Sequence, residues 1–163
     1  MPWTGSMRRS AAVTLCLFLG ACAETAPPCS RPESGPTAES AGCLIWNDRG
    51  ALLVRDWSGG WALPGGSVAV GESALCAAER EAFEETGLSV TATELALVLD
   101  NGFHLYWCDA APDARPRVHR PLEVREAAWL NPDALNPAAW RYSGQGEIIA
   151  GLIVATSQST YEE

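Results

Sequence analysis

The sequence predicts one domain in which β-strands and α-helices are mixed. Its 163 residues are 47% hydrophobic and 19% charged, a composition that supports one buried core. Apolar runs typical of strands precede and follow a helical segment that begins near Ser73, and a second helical pattern lies near the C-terminus. This order of strands, helix, strands and helix indicates an α+β arrangement, and residue patterns alone do not specify it further.

The predicted strands are joined by residues that favour tight turns. Asn47, Asp48 and Gly50 separate the first two strands, and Asn101-Gly102 separates the next two, so each pair is expected to form a hairpin. A loop rich in Pro and Arg precedes the last strand. In chain order the expected strands are 41–46, 51–55, 88–99, 102–109 and 123–130, and the expected C-terminal helix is 146–156.

The segment 73–86 predicts an acidic helix with defined ends. Ser73 is a typical N-cap, and Gly87 suits the left-handed conformation that ends a helix. Glu81, Glu84 and Glu85 stand at i, i+3 and i+4, so their carboxylates share one helix face. Unneutralised, each such pair of like charges costs the helix roughly 0.2–0.5 kcal/mol, which indicates a cation at this face. The small residues expected to flank the face, and to leave room for ions and a ligand, are Ala74, Ala77 and Ala78.

The region from Gly66 to Leu88 has a distinctive spacing of glycines and charged residues. After Gly66 come five residues, Glu72, seven residues and then Arg80-Glu81-Ala82-x-Glu84-Glu85-x-Gly87-Leu88. This 23-residue span resembles the signature of the Nudix hydrolase family, and the approach from Trp61 to Gly66 (W-x-L-P-G-G) is also common there. Ala82 departs from the pattern, which prefers a larger aliphatic residue. The resemblance implies an α/β fold, an α/β/α sandwich with a mixed β-sheet, in a single domain over residues 41–163.

By that resemblance the chain is expected to be a metal-dependent pyrophosphohydrolase. It would cleave the pyrophosphate bond of a nucleoside diphosphate linked to another moiety, or of a related small diphosphate. An acidic pocket repels such an anion unless cations intervene, and carboxylate and carbonyl oxygens suit Mg²⁺ or Mn²⁺. The alternative is a non-catalytic protein of the same fold that binds a ligand or acts as a scaffold. The net charge of −9 argues against nucleic acid polymers as partners.

The resemblance also assigns roles to the residues nearest the chemistry. Glu84, Glu85 and the carbonyl of Gly66 are expected metal ligands. Glu81 is expected to be either a ligand or the base that activates water. Arg80 is expected to hold Glu84 by an ion pair.

Other residues are expected to support this site. Gly65 and Glu72 belong to the loop before the helix, where glycine lets the backbone approach a metal or phosphate closely. A further metal ligand is expected at either Glu123 or Glu126. Because three positions separate these two, a strand would point them to opposite faces, and at most one would reach the metal.

The N-terminus resembles the export signal of a bacterial lipoprotein. Arg8 and Arg9 precede an apolar run, 11–21, that is too short to span a bilayer. Leu19-Gly20-Ala21-Cys22 resembles a lipobox, in which the cysteine becomes the lipidated first residue. Residues 1–21 are therefore expected to be a signal peptide, with the protein held at a membrane of the cell envelope, outside the cytoplasm, by lipid on Cys22. The alternative is a cytoplasmic protein with an apolar extension.

Residues 22–40 are expected to form a disordered tether between anchor and domain. They are rich in Pro, Ser, Thr and Glu and contain no aliphatic side chain larger than alanine. An oxidising compartment permits disulfides with three connectivities, but isolated cysteines are also common as small buried residues. The sequence leaves the pairing open, as it does the oligomeric state. The cysteines concerned are Cys29, Cys43, Cys76 and Cys108.

Overall fold

The computed structural model of the protein describes residues 24–32, 35–131 and 139–159, with only the backbone for 157–159. Eight strands and two helices follow one another in these ranges. They are β1 Ser40–Leu44, β2 Trp46–Asn47, β3 Gly50–Asp56, β4 Trp61–Ala62, β5 Gly65–Ser67, α1 Ala74–Thr86, β6 Val90–Val98, β7 Phe103–Ala110, β8 Val124–Leu130 and α2 Gln145–Ser159.

The strands form two four-stranded sheets. In the first sheet, with the order β5-β1-β7-β6, β1 and β7 run parallel and the other neighbours antiparallel. In the second sheet β3 pairs antiparallel with β2, β4 and β8. Parallel neighbours require a crossover connection, and α1 lies in the chain between β1 and β7. The predicted mixed sheet is therefore present.

Side chains alternate along the strands, and this alternation puts a helix on each side of the sheets. Ala41 and Cys43 of β1 pack in one buried cluster with α1, whereas Leu44 packs in a second cluster with α2. In β3, Leu52 belongs to the first cluster and Leu53 to the second. The result is the predicted α/β/α sandwich, with the strands between the helices.

The two predicted hairpins have different outcomes. β6 and β7 pair antiparallel, as expected from the turn at Asn101-Gly102. The expected hairpin between 41–46 and 51–55 is wrong for most of its length, since only Trp46 and Asn47 pair with β3. The physical reason is that β5 and β7 occupy both edges of β1, so β1 has no free edge for β3.

The segment before β1 is attached to the domain, which corrects the expectation of a tether for part of 22–40. Cys29 forms a disulfide with Cys76 of α1. The backbone N–H of Ser30 donates to the Glu79 carboxylate at 2.8 Å, and the Ser30 hydroxyl donates to the same carboxylate. Hydropathy could not reveal this attachment, because it depends on a covalent bond and a buried acid rather than on large apolar side chains.

A second disulfide joins neighbouring strands of the first sheet. Cys43 of β1 is bonded to Cys108 of β7, the parallel neighbour of β1. Of the three connectivities that the sequence left open, the structure therefore has Cys29–Cys76 and Cys43–Cys108.

The predicted signal peptide and lipid anchor, residues 1–21 and Cys22, lie outside the described residues. Of the helices that the structure does describe, none is both long enough and apolar enough to cross a membrane.

Candidate active site

The helix α1 presents carboxylates to the short strand that precedes it. The side chain of Ser73 accepts a hydrogen bond from the Cys76 N–H at 3.3 Å, and Gly87 ends the helix with a φ of 69°. Both ends agree with the prediction from the sequence. Between them, Glu81 and Glu85 lie one helical turn apart on the side that faces β5.

Glu85 is a buried acid with one described hydrogen-bond donor. Only 8% of it is exposed, and its Oε2 accepts from the Gly65 N–H at 2.9 Å. The pKa of Glu85 is raised to about 8, chiefly by burial and also by the charges of Glu81 and Glu123, while the Gly65 hydrogen bond and the charge of Arg141 oppose the rise. A cation at this position would relieve the conflict between burial and negative charge.

Glu81 packs directly against the glycine turn. A Cβ built at Gly66 would lie 2.6–2.8 Å from the three carboxyl atoms of Glu81, closer than side chains normally approach. Only glycine at 66 therefore allows the Glu81 carboxylate its position. The lack of a side chain at Gly66 therefore makes room for a carboxylate, while a role for the Gly66 carbonyl stays a prediction.

The small residues of α1 are not beside the acidic patch. Ala74, Ala77 and Ala78 are fully buried in the cluster that α1 forms with the first sheet. The expectation that they leave room for ions is therefore wrong. Their small size instead lets α1 approach the sheet closely, and the room beside the carboxylates comes from the glycines of β5.

Arg80 connects four parts of the site. Its guanidinium donates to Glu72 at 2.9 Å, to Glu81 at 2.7 Å and to Glu84 at 3.1 Å, and also to the Ser67 carbonyl at 2.9 Å. The predicted ion pair with Glu84 is present. The Arg80 hydrogen bond holds the pKa of Glu72 below its usual range, and Glu72 in turn accepts from the Ala69 N–H at 2.9 Å. Glu72 thus holds the loop against the helix, as the resemblance implied.

Glu84 has two arginine partners and lines a different cavity from Glu85. Besides Arg80, Arg120 forms an ion pair with it, and Arg120 also lies 3.3 Å from Glu123. Glu84 lines a cavity of about 710 Å³ that does not include Glu81 or Glu85. The three carboxylates expected on one face are therefore divided: Glu81 and Glu85 lie together, and Glu84 lies beside them with the arginines.

A cavity of about 510 Å³ contains the paired carboxylates. Glu123 belongs to its lining and Glu126 does not; Glu126 forms an ion pair with Arg55 at 3.5 Å. Glu123 precedes β8 rather than lying in it, so the turn before β8 directs it to the cavity. The residues that line the cavity are Asp56, Gly65, Gly66, Ser67, Glu81, Glu85, Arg120, Glu123, Val124 and Arg141.

No metal cluster is preformed in the part of the chain that the structure describes. No three His, Cys, Asp or Glu side chains in these ranges converge closely enough to enclose an ion. Arg80 and Arg120 occupy the Glu84 carboxylate, and the Arg80 Nη1 that bonds Glu84 also bonds Glu81. The donor set in the cavity is nevertheless all oxygen: two buried carboxylates, Glu123 and the backbone of Gly66.

A second cavity of about 450 Å³ adjoins the first and shares Glu85 and Arg141 with it. Phe103, Tyr142 and Gln145 line it. Gln145 is only 8% exposed, and its buried Oε1 has no hydrogen-bond partner among the described residues. A buried acceptor in a partly aromatic cavity is suited to a flat ligand that carries an N–H or O–H donor.

Sequence reasoning missed Arg141, the arginine that the two cavities share. Asp56 lies 3.4 Å from its Nε, and the Arg141 N–H donates to the Trp61 carbonyl at 2.8 Å. The pKa of Asp56 is lowered mainly by a hydrogen bond from Ser58, which keeps the acid ionised beside the arginine. No local pattern marks Arg141, since its position depends on strand β4, which lies far away in the chain.

Comparison with known proteins gives one family for most of the chain. A model of the NUDIX domain matches residues 36–152, a range that begins before the predicted boundary at residue 41. No protein of curated function matches the sequence.

Solved structures with the same fold are numerous and distant in sequence. An ADP-ribose pyrophosphatase from Streptococcus suis has 23% identity and a TM-score of 0.62, with 74% of this chain and 92% of that one covered. A UDP-X diphosphatase has 21% identity and a TM-score of 0.60, with 76% of this chain and 66% of that one covered. A C. elegans Ap4A hydrolase has 18% identity and a TM-score of 0.60, with 73% of this chain and 98% of that one covered. At these identities the likeness shows the fold.

Proposed function

The chain belongs to the Nudix hydrolase family, and from that membership we propose that it is a divalent-metal-dependent hydrolase of a nucleoside diphosphate linked to another moiety, or of a related diphosphate. The observation that carries this proposal is the pair of buried carboxylates, Glu81 and Glu85, in one cavity with Arg141. Arg80 pairs with Glu81, but Glu85 forms no ion pair with a described residue, and a buried acid of that kind favours a site built for a further cation.

Mg²⁺ or Mn²⁺ fits the residues of the cavity. Glu81, Glu85, Glu123 and the Gly66 carbonyl are hard oxygen donors, and a cation beside Glu85 would oppose the rise in its pKa that burial causes. Glu84 is the remaining proposed ligand, and it would have to exchange an arginine partner for the ion. When bound, such an ion supplies positive charge to the phosphate oxygens and makes a water molecule more acidic.

The chain's own residues supply binding and proton transfer. Arg141 lies where the two cavities meet and would bind a non-bridging phosphate oxygen, with Asp56 holding its guanidinium in place. Either Glu81 or Glu85 takes the proton from the attacking water as its oxygen bonds to phosphorus and the bridging P–O bond breaks. Arg80 would keep Glu81 oriented for whichever role it has.

The second cavity would hold the organic group at one end of the diphosphate. Phe103 and Tyr142 offer aromatic surface, and the Gln145 side chain would accept a hydrogen bond from a base or sugar once its buried Oε1 turned toward the cavity. The proteins of similar fold include an ADP-ribose pyrophosphatase, a UDP-X diphosphatase and an Ap4A hydrolase, whose names all specify phosphate-linked nucleotides. This common feature supports the same substrate class here.

We further propose that the protein works outside the cytoplasm, attached by lipid at Cys22. The charged and apolar N-terminus and the lipobox-like Leu19-to-Cys22 sequence support this location. The two disulfides also support it, because such bonds persist in oxidising compartments. Extracytoplasmic nucleotide sugars, dinucleotides or lipid diphosphates would then be the available substrates.

The non-catalytic alternative has one observation in its favour. Arg80 and Arg120 already neutralise Glu84, so a ligand-binding site could persist without metal. It predicts that the wild-type protein binds diphosphates with an affinity that Mg²⁺ does not change, and that no diphosphate is hydrolysed.

A panel assay separates the two functions. The purified protein is incubated with nucleotide sugars, dinucleotides and lipid diphosphates, with and without Mg²⁺, and the release of phosphate or nucleotide is measured. Hydrolysis that requires Mg²⁺ is the expected result. Binding of these compounds with no turnover in Mg²⁺ or Mn²⁺ would refute the enzymatic proposal.

A further inference from the structure

We propose that the surface formed by Trp57, Arg117, Pro121 and Leu122, here called the anchor-side surface, lies against the anionic lipid membrane to which the protein is attached. The proposal goes beyond the catalytic activity, and it rests on the proposed lipid anchor at Cys22. It concerns how the domain is oriented once it is anchored.

The first observation is where the described chain begins. Oε2 of Glu24 lies 3.7 Å from Nε2 of His119, and residues 24–26 line a cavity together with Val118, His119 and Pro121. Cys22 is two residues earlier, a distance of at most about 7 Å along an extended chain. Because the Cys29–Cys76 disulfide holds this segment on α1, acyl chains on Cys22 would enter the bilayer beside Pro121.

The second observation is a pair of exposed apolar side chains at the same place. Leu122 is 92% exposed and Trp57 is 62% exposed. The indole Nε1 of Trp57 donates to the Pro121 carbonyl at 3.0 Å, so the two side chains are held close together. Single exposed apolar residues are ordinary, but a tryptophan and a leucine beside the anchor are suited to a membrane interface.

The third observation is the charge of the adjoining loop. The protein has a net charge of −9, yet the segment from 114 to 122 contains three arginines and a histidine and no acidic residue. Arg117 is exposed and has no ion pair with any described residue. Two acids near this segment are partnered, since Glu24 lies by His119 and Glu123 lies 3.3 Å from Arg120. Basic side chains beside a lipid anchor are attracted to anionic headgroups.

The orientation has a consequence for the active site. The cavity beside residues 24–26 is also lined by Glu84, by Arg80, which pairs with Glu81, and by Arg120, which pairs with Glu84. With the anchor-side surface on the bilayer, this side of the active site faces the lipid headgroups. A diphosphate carried by a lipid could then approach without leaving the membrane.

Hydrogen exchange on the complete lipidated protein tests the proposal. The protein is reconstituted in vesicles of neutral lipid alone and of neutral lipid with anionic phosphatidylglycerol, after mass spectrometry has verified the lipid on Cys22. Amides of residues 117–123 should exchange about fivefold more slowly on the anionic vesicles. The double substitution Arg117→Ser with Leu122→Ser should abolish that difference.

A matched control uses exposed apolar residues elsewhere. Leu95→Ser with Val98→Ser, on the edge strand β6, should leave the protection of 117–123 intact. The proposal is overturned if the first double variant is protected as well as the wild type, if the chain carries no lipid at Cys22, or if protection arises only when another protein is added. A failure of the catalytic proposal would look different. The protein in detergent would show no Mg²⁺-dependent hydrolysis, while the exchange pattern on vesicles would be as expected.

Discussion

At the scale of single residues, Glu85 concentrates the conflict between burial and charge. Its carboxylate is almost enclosed, and two further acids, Glu81 and Glu123, oppose its ionisation. One backbone N–H, from Gly65, favours the ionised form. In such surroundings the ionised carboxylate destabilises the folded protein unless a cation accompanies it.

Glu85→Gln should therefore abolish most activity. Glutamine can still accept the Gly65 hydrogen bond, but it cannot supply the negative charge that a divalent ion requires. We expect turnover with Mg²⁺ to fall by at least about a hundredfold, equivalent to roughly 2.7 kcal/mol of activation barrier. Full activity in the variant would show that Glu85 is not a metal ligand. Glu126→Gln is the matched control, since Glu126 lies outside the cavity, and its activity should stay near that of the wild type.

The same acid predicts a pH dependence of stability in the absence of metal. The pKa of Glu85 is about 8 in the folded protein against 4.5 in an ordinary setting, so the folded state retains a proton that the unfolded state loses. Stability should therefore fall as the pH rises from about 5 to 8, by up to about 1.4 kcal/mol per pH unit. Urea unfolding in EDTA measures this.

Glu85→Gln should remove this decline and be at least as stable as the wild type at pH 8. Added Mg²⁺ should raise the stability of the wild type at pH 8 and should not raise that of Glu85→Gln. If the metal-free variant melts well below the wild type, the side chain is stabilised by packing and the site has been misassigned.

At the scale of elements, local signals specified most of what the sequence predicted correctly. Ser73 and Gly87 mark the ends of α1, and Asn101-Gly102 marks the turn between β6 and β7; in each case the information lies within a few residues. The pairing of β1 with β7 is a contact across more than fifty residues, and no turn signal encodes it. For this reason the predicted hairpin of β1 was wrong.

The candidate site also has a part that local sequence predicts and a part that depends on distant contacts. The helix face that carries Glu81 and Glu85 could be read from spacing, whereas the division of Glu84 from them depends on Arg120, which a separate loop supplies. Gln145 and Arg141 reach the second cavity through tertiary packing alone. Sequence therefore identified the helical part of the site and not the part contributed by loops.

The attachment of the N-terminal segment gives a prediction at this scale. From the sequence alone, deletion of residues 1–40 would leave the melting temperature almost unchanged; the structure reverses this expectation. Replacing both Cys29 and Cys76 by Ser should lower the free energy of unfolding by about 2–4 kcal/mol, because the disulfide closes a long loop in the unfolded chain. Chemical denaturation under oxidising conditions measures the loss.

Ser30→Ala serves as the comparison, since it keeps the disulfide and removes only the hydroxyl bond to Glu79. It should cost about 1 kcal/mol. An unchanged midpoint in the double cysteine variant would mean that the segment contributes no stability.

At the scale of the whole molecule, the proposed lipid anchor at Cys22 would determine where the domain works. In a bacterial host, Cys22→Ser should abolish lipidation, because no acyl chain can be attached to serine. The protein should then leave the membrane fraction. Cys16→Ser, in the preceding apolar run, is the control and should fractionate like the wild type. A wild-type protein that remains in the cytosol and begins at Met1 or Met7 by mass spectrometry would contradict export.

The two disulfides interleave along the chain. The order of the cysteines is Cys29, Cys43, Cys76 and Cys108, and the first bonds to the third and the second to the fourth. A chain that emerges N-terminus first presents Cys29 and Cys43 to an oxidant before either partner has appeared. Pairing in order of emergence would join these two and leave Cys76 and Cys108 without their native partners. Maturation therefore requires either a delay until α1 and β7 have formed, or a catalyst that exchanges the first bond for the native ones.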